Sequence, residues 1–260
     1  MKQLRNVFWI SVIMAITIPI QAQYVGARVQ YVKVKSGQWN NFMDLEKGVV
    51  KYHQARVEEG IITSWTLYRK KFSGSNEDYQ FIWVHQYDDF KKTENPNPSE
   101  LLNSLYTQEE LDATMKTMRE TREITRSEYY DGVIFAEDNR KSKYIRVNFY
   151  RVNPEDNANY LKARKEYILP VFSDMVTEGH LESWGLWRKF PYYKDYQFVS
   201  VDGFSEYGQW KESLPVKETF AKLMPGEDFD EVGEKVMGTR TLIKSEIWEL
   251  VESTEPASQE

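Results

Sequence analysis

Few side chains in this sequence could move a proton or hold a ligand unaided. There are three histidines, His53, His85 and His180, and no cysteine. Without thiols the chain has no disulfide, no thiolate nucleophile and no Cys-ligated metal. No two histidines have the His-x-x-x-His spacing of a transition-metal site, so no metal is expected. His85 falls in a strand-like stretch that has a counterpart later in the chain, where the corresponding position is Asp202. An imidazole beside a carboxylate is a general base whose pKa the carboxylate raises. If the two positions face one cavity, His85 and Asp202 are the candidate catalytic pair. No Gly-rich phosphate loop, Gly-x-Ser-x-Gly elbow or His-Glu-x-x-His is present, which argues against a nucleotide enzyme or a standard serine hydrolase.

The elements that must position these residues are written twice. Glu59-Gly60, Ser64-Trp65, Leu67 and Arg69-Lys70 recur as Glu178-Gly179, Ser183-Trp184, Leu186 and Arg188-Lys189. Asp78-Tyr79-Gln80-Phe81 recurs as Asp195-Tyr196-Gln197-Phe198, and Thr121-Arg122 with Ser127-Glu128 as Thr239-Arg240 with Ser245-Glu246. The period stays between 117 and 119 residues, so the chain is an internal duplication.

Each copy reads as strand, helix, strand, strand, helix, strand. In the first, 28–35 alternates as a strand does. Residues 38–59 place Trp39, Phe42, Leu45, Val49 and Tyr52 on one helical stripe, and Gly60 stops the helix. Residues 61–72 and 79–87 form a hairpin around Ser73-Gly74-Ser75-Asn76. Ser99 can cap a short helix, Thr107-Gln108-Glu109-Glu110 is a capping box that opens another, and 121–130 is the closing strand. The second copy repeats the order over 144–152, a helix from Pro154 to Gly179, a hairpin over 181–190 and 196–204, helical material to Met237, and a strand over 239–251.

A βαββαβ order makes a four-stranded sheet with both helices on one face. The other face, if aromatic, must be covered, and the second copy can cover it sheet against sheet. The fold class expected is therefore α+β: two tandem ferredoxin-like units pairing their sheets as a pseudo-dimeric barrel. Strand parity then divides the hairpin. Ile82, Val84, Val199 and Val201 are compact and suit packing under helices. That would turn Phe81, Trp83, His85 and Tyr87, with Phe198, Ser200, Asp202 and Phe204, into the barrel interior as a ligand pocket or as simple filling. Trp65 and Trp184 read as core anchors. The matched pairs Arg69/Arg188 and Arg122/Arg240 could hold an anionic ligand, or form structural ion pairs within each copy, with Glu128 and Glu246 as partners.

The repeat order, the helix–Gly–strand junction and the Trp-rich hairpin resemble the dimeric α+β barrel superfamily, especially its NIPSNAP-like and stress-responsive barrel-domain members and tandem exported versions of unknown function. The resemblance spans residues 24–252. It implies a fold, not one activity, because that superfamily holds cofactor-free monooxygenases, haem enzymes, isomerases and proteins without known activity. Three functional readings follow. The first is a protein that binds a small apolar or aromatic molecule between the two sheets. The second is a cofactor-independent or haem-assisted enzyme, of monooxygenase or isomerase type, acting on such a molecule. The third is a solid-packed barrel without a ligand. No cofactor is expected; haem on a single axial His85 or His180 is the lesser alternative.

The N-terminus has Lys2 and Arg5, an apolar run from Val7 to Ile18, Pro19 and then Ala22. That order reads as a signal peptide over 1–22, hence a secreted or periplasmic protein. The run is about a dozen residues where a spanning helix needs about 20, so no integral membrane segment is expected after cleavage. The first repeat is placed at 23–136, a charged linker at 137–143, the second repeat at 144–252 and a disordered tail at 253–260. A net charge of −6, spread along the chain, argues against nucleic acid as a partner. With both halves of the barrel in one chain, a monomer with an internal pseudo-dimer is expected.

Overall fold

The computed structural model describes residues 25–74, 76–136, 142–191 and 195–254. The signal peptide expected over 1–22 and most of the expected linker and tail lie outside these residues. The first half comprises β1 (Gly26–Val34), α1 (Trp39–Glu58), β2 (Ser64–Lys70), β3 (Phe81–Tyr87), α2 (Ser99–Leu105), α3 (Gln108–Thr121) and β4 (Arg122–Ala136). The second comprises β5 (Tyr144–Val152), α4 (Asn157–Ala163), α5 (Leu169–Thr177), β6 (Ser183–Phe190), β7 (Phe198–Phe204), α6 (Val216–Leu223), α7 (Phe229–Gly238) and β8 (Arg240–Ser253).

Local signals place the helix ends. Thr107 Oγ1 accepts the Glu110 N–H at 3.2 Å while Glu110 Oε2 accepts the Thr107 N–H at 2.8 Å, the reciprocal capping box read from the sequence. Gly60 and Gly179 adopt φ of +65° and +78°, which only glycine adopts freely, so α1 and α5 stop at the same place in each half. In the second half the helical segment widens into a π turn over Arg164–Ile168. The turn ends just before Pro170, which has no N–H for the α-helical ladder.

The eight strands close into one antiparallel barrel in the order β1-β3-β2-β8-β5-β7-β6-β4. Each half contributes a ferredoxin-like sheet, and the halves join at two seams, β2–β8 and β4–β6. The seams explain why β4 and β8 run beyond the closing strands expected. The end of β4, Tyr129 to Ala136, pairs with Phe190 to Trp184 of the other half. β8 likewise reaches Ser253, and Thr254 Oγ1 accepts the Trp65 N–H at 3.0 Å, so the chain is ordered two residues into the expected tail. Trp65 and Trp184 are buried as expected.

The two faces of the hairpins are the reverse of the expectation. Ile82, Val84, Val199 and Val201 belong to the barrel interior, together with Tyr31, Tyr79, Phe149, Tyr196 and Trp248. Phe81, Trp83 and Tyr87 pack outward against Phe42 and Val57 of α1. Phe198 and Phe204 pack outward under the helices of the second half. The reason is volume. Aromatic rings from β1, β5 and β8 and from the entries to the hairpins fill the narrow interior of an eight-stranded barrel, so β3 and β7 can supply only small aliphatic side chains there. The broad gap under the helices takes the large rings.

Candidate functional site

The barrel interior is a packed layer of aromatic rings and ion pairs. Tyr31 meets Tyr79 edge-on at 4.6 Å and Phe149 meets Tyr196 at 4.9 Å. Glu128 accepts from Tyr130 and Tyr196 at 2.6 Å each and pairs with Lys189 at 2.6 Å. Its counterpart Glu246 accepts from Tyr79 and from Trp248 Nε1 at 2.9 Å and pairs with Lys244 at 2.8 Å. Burial raises the Glu128 pKa, but the Lys189, Tyr130 and Tyr196 bonds outweigh it and the carboxyl stays below its ordinary range. The matched arginines do not pair with Glu128 and Glu246 as expected, because Glu128 takes Lys189 of the other half and Glu246 takes Lys244 of its own strand, with Lys70 of the other half at 3.5 Å. Arg69 pairs with Glu249 and Arg188 with Asp131 across the seams, and Arg122 pairs with Glu46 of α1.

His85 and Asp202 do not share a cavity. They sit on strands four apart in the ring of eight, and both point away from the barrel. Asp202 is occupied by Arg146 Nε at 2.7 Å and Asn148 Nδ2 at 3.1 Å. Burial raises its carboxyl above the ordinary value against the pull of Arg146. Ser200 accepts from Asn148 at 3.3 Å in the same outer layer.

His85 has other company. Its cross-strand neighbours are Arg28 on β1 and Trp65 on β2. Above it, α1 places His53 flat on the Trp65 ring, with centroids 4.3 Å apart and planes 11° apart. The His53 ring meets His85 edge-on at 5.5 Å. One turn along α1, Arg56 Nη1 lies 3.1 Å from His53 Nδ1, so the guanidinium donates and His53 is protonated on the other nitrogen. Arg56 is 1% exposed and His85 is 6% exposed. His85 Nδ1 and Arg56 Nε are buried with no hydrogen-bond partner, and the buried Tyr87 hydroxyl lies against the Arg56 guanidinium. Neither Arg28 nor Arg56 forms an ion pair among the described residues. Burial, reinforced by these positive neighbours, holds both His53 and His85 well below the ordinary histidine value, so both are neutral at pH 7.

The result is a cluster of one buried guanidinium, Arg56, one half-buried guanidinium, Arg28, two buried neutral imidazoles and no carboxylate. Such a cluster can accept a proton at His85 Nδ1 and stabilise negative charge left on a ligand. Tyr87 belongs to the residues expected from the sequence; His53, Arg56 and Arg28 do not. The signal for them was present, because His53 and Arg56 extend the apolar stripe of α1 at helical spacing, and polar residues on a buried stripe need a reason.

Haem would need an axial imidazole with an open face. His180 is exposed at the turn after α5, and His85 is enclosed by His53, Trp65 and Arg28. This packing leaves no open face for a macrocycle. Among the described residues no three His, Asp or Glu side chains cluster as metal ligands, and no helix is long and apolar enough to cross a membrane. Two surface clefts, of about 660 and 600 Å³, lie beside β1–β2 and between α1 and α3; neither includes His85.

No family model matches the chain, and no curated protein matches it. Solved structures do share its fold. One is a protein of Fusobacterium nucleatum described as a "putative monooxygenase": TM-score 0.58, 10% identity, covering 92% of this chain and 98% of the other. Another is described as a "putative chlorite dismutase": TM-score 0.52, 10% identity, covering 88% and 95%. A haem-binding protein of Thermus thermophilus has TM-score 0.52 and 10% identity over 88% and 92%. The chain therefore has the dimeric α+β barrel architecture, with two ferredoxin-like units in tandem. Identities this low carry the fold alone.

Proposed function

We propose that the protein binds a small, flat, weakly acidic molecule, a phenol or enol, beneath α1 of the first half, and that His85 takes its proton. The observation that carries this reading is the unpartnered, fully buried Nδ1 of a neutral His85 beside two guanidiniums with no carboxylate. His85, neutral in the empty site, accepts the proton only as the ligand's oxyanion forms beside it and offsets the guanidinium charge of Arg28 and Arg56, and the His53–Trp65 stack offers an aromatic wall. Proton removal of this kind is the opening step of a cofactor-independent enzyme, a reading that the name given to the Fusobacterium protein favours. The site moves from between the sheets to the helix-covered face, because the interior is occupied by side chains. Likeness to NIPSNAP-like exported barrels, cleavage after Ala22 and a secreted or periplasmic location belong to the same proposal. So does a monomeric state, since one chain closes the barrel without a second copy.

The test is a titration of 4-nitrophenol, whose phenolate absorbs visible light. Binding should raise the phenolate band at fixed pH and change tryptophan emission through Trp65. His85→Gln should lose the band while still binding weakly. No binding by the wild type, or an unchanged phenolate signal in the variant, would count against the reading.

A further inference from the structure

The two halves differ in charge at one pair of equivalent positions. Phe42 on α1 packs on Phe81 with ring centroids at 4.6 Å, and Tyr160 on α4 packs on Phe198 at 4.8 Å; both helix residues are fully buried. One turn later the first half has Glu46 and the second has Arg164. Arg122 and Arg240 open β4 and β8 and face Val34 and Val152 in matching registers. Trp83 faces Gln30, and Ser200 faces Asn148.

In the first half these positions close on themselves. Glu46, 1% exposed, pairs with Arg122 and accepts the Trp83 Nε1–H at 2.9 Å. In the second half Arg164 replaces the carboxylate, and Ser200 replaces the indole. Two guanidiniums now share the space with no acid between them. Arg164 is 4% exposed, and its Nε and Nη2 have no partner. Arg240 Nε and Nη1 have none either. Both lie over the Tyr150 ring, with Cζ at 5.4 and 4.0 Å from its centroid. Asp202 is the carboxylate of this layer that feels Arg164, and Arg146 and Asn148 already hold it. Arg164 also opens the π turn, an irregularity that commonly marks functional positions. Four buried guanidinium nitrogens, on two like charges with only the neutral Tyr160 and Tyr150 hydroxyls beside them and no well-aligned acceptor, are a costly arrangement unless an anion satisfies them.

We propose that Arg164 and Arg240 bind a small oxyanion, the phosphate or carboxylate group of a ligand, between the helices and the outer sheet face of the second half. Guanidinium forks suit both groups, since each presents oxygens for paired N–H donors. The Tyr150 ring, 4.0 Å from Arg240 Cζ, takes the place that the Trp83 ring holds 4.1 Å from Arg122 in the first half, so an anion would sit on the helix side of the two guanidiniums. This site is separate from His85 and stands whether or not a phenol binds there.

The full chain should be titrated by calorimetry with inorganic phosphate and, separately, with benzoate, at constant ionic strength. Binding of phosphate, benzoate or both supports the site, and the one that binds identifies the group. Arg164→Glu rebuilds the acid–base pair of the first half and should weaken binding by roughly ten-fold or more. Should that variant fail to fold, Arg164→Met, which leaves one guanidinium and adds no acid, should show the same loss. Failure of the wild type to bind either anion, or unchanged affinity in the folded variant, overturns the proposal.

Discussion

Lys189 of the second half reaches Glu128 of the first inside the barrel, Nζ to Oε1 at 2.6 Å, with both side chains at 5% exposure or less. Its pseudo-symmetric counterpart, Lys70 to Glu246, spans 3.5 Å. Each half thus supplies the cation for a buried acid of the other, so the ion pairs stitch the duplication into one folding unit. Truncating Lys189 leaves Glu128 with the more exposed Arg126, Nε to Oε1 at 3.3 Å, and two tyrosine hydroxyls. Lys189→Ala should cost about 2 kcal/mol in urea unfolding at pH 7. Arg69→Ala, at the more exposed seam pair with Glu249, should cost about 1 kcal/mol or less. Equal losses for the two would contradict this account.

The same stitching bears on the halves alone. A fragment of residues 24–136 would expose the interior face carrying Tyr31, Tyr79 and Tyr130 and would leave β2 and β4 as open edges. It should self-associate or remain unfolded by sedimentation and circular dichroism. A monomeric fragment with a cooperative melt would refute the argument.

His53 and His85 set a pH dependence. Both have folded pKa values well below 6.5, with burial as the main cause. Between the folded values and 6.5 the unfolded chain binds more protons than the native one, so stability rises with pH up to about 6.5 and is lost on acidification below it. The slope is about 1.4 kcal/mol per pH unit for each histidine that titrates this way. His53→Phe, which copies Phe172 of the second half, should flatten the slope between pH 5 and 6.5. An unchanged slope would mean that these imidazoles are not buried neutral.

Glu46 acts in the opposite sense. Burial pushes its carboxyl up to about 7, against Arg122 and the Trp83 N–H. A folded value above the unfolded 4.5 means that the native state holds the proton more tightly. Its contribution is present below pH 4.5 and is lost as pH rises through 7. Glu46→Gln should therefore lose less stability than the wild type between pH 5 and 7.5, measured by thermal melts. A wild-type-like decline in the variant would place Glu46 as ionised throughout.

Much of this architecture is legible in the residues. The 117–119-residue period, Gly60 and Gly179, and the Thr107–Glu110 box specify two like units, and their βαββαβ order implies a barrel. Those signals are local or repetitive, so they survive in one dimension. Which way a strand faces is not local. Along β3, Ile82 and Val84 alternate with Phe81, Trp83, His85 and Tyr87, and either set could be buried. The choice rests on how much volume Tyr31, Tyr79, Tyr196 and Trp248 take inside the closed barrel, and that depends on all eight strands at once. The same holds for chemistry. Sequence alone determined that His85 stands where the other half has Asp202, and that Arg122 and Arg240 correspond. Only the tertiary structure decided that His85 lies beneath His53 and Arg56, and that Arg240 meets Arg164 where Arg122 meets Glu46, because those neighbours come from helices whose rotation over the sheet is set by packing.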